Sequence, residues 1–293
     1  MNYRTDLAVE THELLEEAKA KATGYIKKQK QIDEDISVTE IKILSEEGEK
    51  AFGKRRGNYV TMEVQGLLQQ KDGILERTAK ALAGELKEFI PFHYYLKVLV
   101  VGLGNEKVTP DSLGPHTVEK VKITSHLFRI YDADGDFDMA NVSGFTPSVT
   151  GITGMETAEV VERVVSLVQP EIAVVIDSLA AKNIERMSTT IQISDTGIEP
   201  GAGMGNRRKA INEETLGCKV ICIGVPTVID ASTLIMEAAE NMGYWQEQKT
   251  RNYINNKKLD MVVTSTDIDE IIKNFSDIIA GAINITLHPG IYS

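Results

Sequence analysis

The sequence predicts an α/β fold, a mostly parallel sheet flanked by helices with additional strands near the N-terminal region. Three observations lead there. Residues 96–101 (LKVLVV), 172–176 (IAVVI) and 220–225 (VICIGV) are short runs apolar on both faces, the pattern of interior parallel strands. Stretches of helical period stand between and after them. With 42% hydrophobic residues in 293, the chain has material for a sizeable core.

The elements follow in order. Residues 7–31 are rich in Glu, Lys and Ala and predict a solvated helix or arm. A short strand is expected near 36–44. A tight turn at 53–58 (GKRRGN) leads into a second strand, where Val60, Met62 and Val64 alternate with Thr61 and Glu63 as in a half-buried strand. Leu75, Ala79, Leu82, Leu86 and Phe89 fall at helical spacing before the first buried run, which ends in Gly102. Val160, Val161, Val164 and Val168 mark a helix stopped near Pro170, ahead of the second run. After the third run, Asp230 is placed to cap a helix with Ala231, Leu234, Ile235, Ala238, Ala239 and Met242 inward, and Gly243 to end it. Ile268, Ile271, Ile272, Phe275 and Ile279 predict a C-terminal helix. Strands near 36–66 are expected at one edge, and no Pro/Gly/Ser linker divides the chain.

Composition removes several function classes. Lys plus Arg is 32 and Asp plus Glu 43, a net charge of -11, which disfavours nucleic-acid binding through the surface as a whole. Cys218 and Cys222 are too few for a disulfide scaffold, and four apart in a strand they share a face, so core packing is expected. No apolar run approaches the ~18 residues of a membrane span, and the acidic N-terminus lacks a signal-peptide pattern. A soluble intracellular protein is expected.

Ligand sites of open α/β sheets lie beyond the carboxyl ends of the strands. The segments following the three buried runs each carry an aspartate: Asp111, Asp177 and Asp230. The first segment holds Gly102 and Gly104 but has Lys107 where a dinucleotide loop needs its third glycine, so the glycines point to a sharp turn that leaves room for substrate. Asp177 ends an apolar run, where a carboxylate is costly unless compensated. Two carboxylates at neighbouring strand ends can share a proton, one activating water while its protonated partner polarises a carbonyl or protonates a leaving amine. A helix N-cap or an ion pair with Lys182 or Arg186 for Asp177, and a turn or capping role for Asp111, are the plainer alternatives. Neither H-E-x-x-H nor G-x-S-x-G occurs, and no histidine lies between 127 and 287. Residues 194–208 form a glycine-rich stretch in which Gly203 and Gly205 are candidate hinges of a segment over the site. It leads into the basic run Arg207, Arg208 and Lys209, candidates for binding acidic substrate side chains.

These residues belong to longer motifs: YRTDLAVE at 3–10, VVGLGN at 100–105 with TPDSLGP at 109–115, IDSLAAKNIERM at 176–187, IQISDTGI at 191–198 with PGAGMGNRRK at 200–209, and GAINITLH at 281–288. In that order they resemble the germination proteases of spore-forming bacteria along nearly the whole chain. The resemblance implies an endopeptidase that starts the breakdown of small acid-soluble spore proteins, cutting after Glu and before Phe or Ile followed by Ala-Ser-Glu. It implies an inactive zymogen and a homotetramer in the spore core. No cofactor or metal is expected, and no membrane or direct nucleic-acid partner. The family's two catalytic aspartates fall by motif on Asp111 and Asp177. Asp6-Leu7-Ala8-Val9-Glu10 imitates the substrate pattern, so self-cleavage between Asp6 and Leu7 is expected, with 1–6 as propeptide and 7–293 as a single α/β peptidase domain. That propeptide, and the region 244–258, are shorter than in many relatives. The hydrogenase maturation endopeptidases share the expected fold. They provide the alternative reading, a nickel-dependent peptidase with two similar acids and a later histidine, of which only His288 is available here. A non-catalytic binding protein on the same scaffold is a further alternative.

Overall fold

The structure is a computed structural model that describes residues 5–67, 69–199, 209–243, 247–257 and 261–292. Its strands are β1 (Tyr25–Gln31), β2 (Ile36–Ile43), β3 (Gly57–Val64), β4 (Lys97–Gly102), β5 (Asn141–Phe145), β6 (Ile172–Ala181), β7 (Thr190–Ser194), β8 (Lys219–Asp230) and β9 (Val262–Val263). They form one sheet in the order β1-β2-β3-β7-β8-β6-β4-β5, with β9 paired to β8. The three apolar runs are β4, β6 and β8, and with β5 they make a parallel block. The other pairings are antiparallel, so the α/β sheet is mixed, with its parallel part confined to this block.

Alternation along the central strands builds two covered faces. Val98 and Val100 of β4, with Ile172, Val174 and Ile176 of β6, point into the larger core beneath the helices Ile74–Phe89 and Ile268–Leu287. Leu99, Val101, Ala173, Val175 and Cys222 point to the opposite face, which the helix Thr157–Val168 covers. Cys218 packs against the same cluster as Cys222, as the four-residue spacing predicted. Further along that face, Leu7, Ala8, Phe52, Leu179 and Ala181 form a third cluster under the N-terminal helix Ala8–Glu17.

Three expectations are corrected. Residues 7–31 are not one solvated helix or arm: the helix Ala8–Glu17 buries its first turn, and Tyr25–Gln31 is edge strand β1. The exposed lysines of β1 explain both findings, since they read as solvated in sequence and discourage pairing with another chain at a sheet edge. β3 is buried on both faces, Thr61 included, because helices lie above and below it. Asp177 does not end its strand: β6 runs on to Ala181. Asp230 caps the helix Ala231–Asn241 as expected, its Oδ1 accepting from the Ser232 amide at 2.9 Å, and Gly243 follows the helix with φ +70°.

The N-terminal helix is tied down by charge. Arg186, largely buried, donates from both terminal nitrogens to Glu13 at 2.6 Å each and from Nε to Glu63 of β3 at 3.1 Å. Removing one partner of such a group leaves the other charges uncompensated. Arg186→Met is expected to destabilise the protein by about 3 kcal/mol, read as a lowered midpoint in urea at unchanged slope.

Candidate active site

The floor of the site follows from strand lengths. β4 accompanies β6 only to the pair Gly102–Ile176, whereas β6 stays paired with β8 out to Ala181–Ile229. Asp177 is the next residue after the last β4 pair and points to the same face as Ala173 and Val175. In register it lies beside Gly224 of β8, and Gly224 lies beside Gln192 of β7. Neighbouring strands are about 4.8 Å apart, which puts Asp177 and Gln192 about 10 Å apart with a glycine between them. A Cβ on Gly224 would stand 2.5 Å from the Leu179 side chain, so that position leaves no room for a larger residue.

The chain leaving β4 supplies the second aspartate. The Leu103 amide donates to the Ile176 carbonyl at 2.8 Å, after which Gly104 turns with φ +109°. Asp111 closes the short 3-10 turn Thr109–Asp111. Its carbonyl accepts from the Asn105 amide at 2.9 Å and its amide donates to the Val108 carbonyl at 2.7 Å. Thr227 of β8 anchors the same turn by donating to the Pro110 carbonyl at 2.7 Å.

Asp111 and Asp177 line one cavity of about 690 Å³, together with Asp6, Lys54, Tyr59 and Gln192. Asp177 is 8% exposed. Burial pushes its carboxyl well above the usual carboxylate range, and the charges of Asp111 and, less, Asp6 push the same way. The Ser178 amide, donating to Asp177 Oδ1 at 2.9 Å, opposes the shift without cancelling it. A carboxyl group whose ionisation is made costly by burial and by a neighbouring carboxyl group suits proton transfer.

The N-terminal segment is seated in this cavity. The Asp6 amide donates to the Ala180 carbonyl at 2.9 Å, and the Ala180 amide donates to Asp6 Oδ2 at 2.8 Å. The Asp6 carbonyl accepts from Lys54 Nζ at 2.9 Å and from Gln192 Nε2 at 3.0 Å. Gln192 Oε1 in turn accepts from the Ala8 amide at 2.8 Å. Leu7 and Ala8 are fully buried. Glu10 accepts from the amides of Lys182 and Asn183 at 2.7 and 2.8 Å and from the Thr5 hydroxyl. Every residue of the substrate-like sequence thus meets the body of the protein where β6 runs beyond β4.

A family model described as germination protease matches residues 4–259. The chain belongs to the germination protease family. Germination proteases of Caldanaerobacter subterraneus subsp. tengcongensis and Clostridium perfringens are each 41% identical to it; the first match covers 99% of this chain and 96% of the relative, the second 98% and 96%. That of Bacillus cytotoxicus is 43% identical over 81% of this chain and 66% of its own. Among solved structures, a [NiFe] hydrogenase maturation protease HycI from Thermococcus kodakarensis KOD1 is similar at 13% identity and a TM-score of 0.35, covering 68% of this chain and 99% of that one. Membership of this peptidase family makes the chain a hydrolase of protein substrates. Among the described residues no helix is long and apolar enough to cross a membrane.

The germination protease motifs are brought together unevenly. Asp111, Asp177 and Asp6 line the cavity, and Leu7 is buried in the apolar cluster that also holds Tyr59 and Leu179 of its wall. Lys209 pairs with Glu162 on the helix Thr157–Val168 at 2.6 Å and is not among the cavity's lining residues. Gly203, Gly205, Arg207 and Arg208 lie outside the described residues. His288 is buried elsewhere, its Nε2 at 2.9 Å from the Lys122 carbonyl. Sequence reasoning missed Lys54 and Gln192. Lys54 lies in the turn 53–58, which reads only as the lead into a strand. Gln192 is a long polar residue between Ile191 and Ile193, on the face of the strand that also carries Thr190 and Ser194.

Proposed function

We propose that this member of the family is a self-processing endopeptidase that cuts small acid-soluble spore proteins after Glu and before a bulky apolar residue. Asp111 and Asp177 are its catalytic pair, and Asp6–Leu7 is its own processing site. Residues 1–6 are then a propeptide, and the remainder is the peptidase, a homotetramer of the spore core. The observation that carries the reading is that Asp6 shares one cavity with Asp111 and Asp177, its carbonyl held by two side-chain donors.

Hydrolysis needs one carboxylate and one carboxylic acid. The carboxylate takes a proton from water as its oxygen adds to the carbonyl carbon of the residue before the cut. The acid gives its proton to the leaving nitrogen as the C–N bond breaks. The pair ends with the same single proton it began with, now on the other partner. The raised affinity of Asp177 for a proton supports keeping one proton on the pair above the ordinary carboxylate range.

The test is cleavage of a peptide containing Thr-Glu-Phe-Ala-Ser-Glu by the processed protein, with and without a chelator. Cutting between Glu and Phe at the same rate in both is expected. Loss of activity to the chelator, restored by a divalent metal, would replace the two-aspartate mechanism with a metal-assisted one.

A further inference from the structure

We propose that Lys54 and Gln192 are catalytic residues, a pair of donors that polarises the carbonyl before the cut and holds the oxyanion formed on it. The inference rests on the reading of Asp6–Leu7 as the processing site. It adds a part that neither aspartate fills.

The geometry is that of an oxyanion site. Lys54 Nζ and Gln192 Nε2 donate to the Asp6 carbonyl oxygen at 2.9 and 3.0 Å, so both already reach the oxygen on which the negative charge would develop. They come from separate elements, the loop ahead of β3 and strand β7, so two independent parts of the fold converge on one oxygen. Gln192 also grips the far side of the bond: its Oε1 accepts from the Ala8 amide at 2.8 Å. One side-chain amide therefore fixes the carbonyl before Leu7 and the amide after it. It is 7% exposed and sits on β7 between inward-facing Ile191 and Ile193, so its position is set by the sheet.

The chemistry gives these donors a purpose. As water adds to the Asp6 carbonyl carbon, the C=O π electrons move to oxygen, and the charge that develops there meets an ammonium and an amide N–H. When the C–N bond breaks, the carbonyl re-forms, the Leu7 nitrogen leaves with the proton from the acidic aspartate, and the products are an Asp6 carboxyl group and a Leu7 amine. Both aspartates are then free for proton transfer, and neither has to polarise the carbonyl. Burial pushes the Lys54 amine below its usual range while Asp6 and Glu10 favour its charged form. The donor accordingly sits in a desolvated place where a developing negative charge is felt strongly.

The experiment follows self-processing of the full chain, with N-terminal sequencing of the product and amide exchange at Ala8 and Ala180 as a measure of whether the segment is still seated. Lys54→Met and Gln192→Glu are each expected to slow the cut by about 10²–10³-fold while both amides stay protected. Lys54→Arg, which keeps a charged donor, is expected to recover most of the rate. Unchanged rates overturn the proposal. So does a loss of rate matched by loss of amide protection, which would mean that the two bonds only dock the segment. A wild-type chain that starts elsewhere than Leu7 after processing sinks the processing-site reading itself, and is told apart because it needs no variant.

Discussion

Asp177→Asn is expected to stop both self-processing and peptide cleavage, lowering kcat/KM by about 10³-fold or more, while making the folded protein more stable at neutral pH. Asn keeps the shape but neither gives nor takes the proton. The stability gain follows from linkage. Burial and Asp111 raise the Asp177 carboxyl in the folded chain above its unfolded value, so the folded state holds this proton more tightly. Stability therefore falls as pH rises from the unfolded carboxylate value through the raised folded one. Above that point the cost of a buried carboxylate is fully present, and Asn removes it. Variant and wild type should converge in acid and separate toward neutral pH, by about 2–4 °C in Tm for each kcal/mol relieved. Activity of the wild type should fall on the alkaline side as the pair loses its shared proton, at a pH above the ordinary carboxylate range. Thermal melts across pH, beside rates on the same samples, check both signs. A variant less stable than wild type at neutral pH would show that Asp177 is compensated by partners that outweigh its burial.

Gly104→Ala should be nearly as damaging to activity without touching a reacting group. Gly104 has φ +109°, which side-chain-bearing residues rarely adopt, and a Cβ there would stand 2.0 Å from the Asp111 carbonyl oxygen. The backbone carrying Asp111 has to move away. Misplacing a catalytic group by about 1 Å costs on the order of 10²-fold in rate, and the strained conformation adds about 1–3 kcal/mol of destabilisation. The expected result is a fall in kcat larger than any change in KM, with the protein still folded by circular dichroism. Full activity would mean that the turn 104–111 shifts as a unit without moving the Asp111 carboxyl.

How far the sequence reached can be followed residue by residue. The three apolar runs revealed the strands that bear the site, because burial on both faces leaves a continuous apolar signature whatever the neighbours are. The helices Ile74–Phe89 and Thr157–Val168 were legible because each buries one stripe, and Ile268–Leu287 because its first turns do so before its second half is buried nearly all round. Asp177 stood out because a carboxylate beside such a run is costly, Asp111 because it lies in the segment that follows another of the runs, and the segment at 6–10 because it resembles a substrate. β1 and β7 were not legible. An edge strand covered in lysine has the composition of a solvated helix, and five residues of β7 are too few for a period to show.

What only the tertiary structure decided is adjacency. β7, distant in sequence from β3, pairs with it on one side and with β8 on the other, and this brings Gln192 level with Gly224 and Asp177. The different lengths of β4 and β6 open the crevice at Asp177. The turn before β3 carries Lys54 to the carbonyl of Asp6, 48 residues earlier in the chain. Periodicity records which face of an element is buried. It does not record which elements lie side by side, and the chemistry of this protein depends on that.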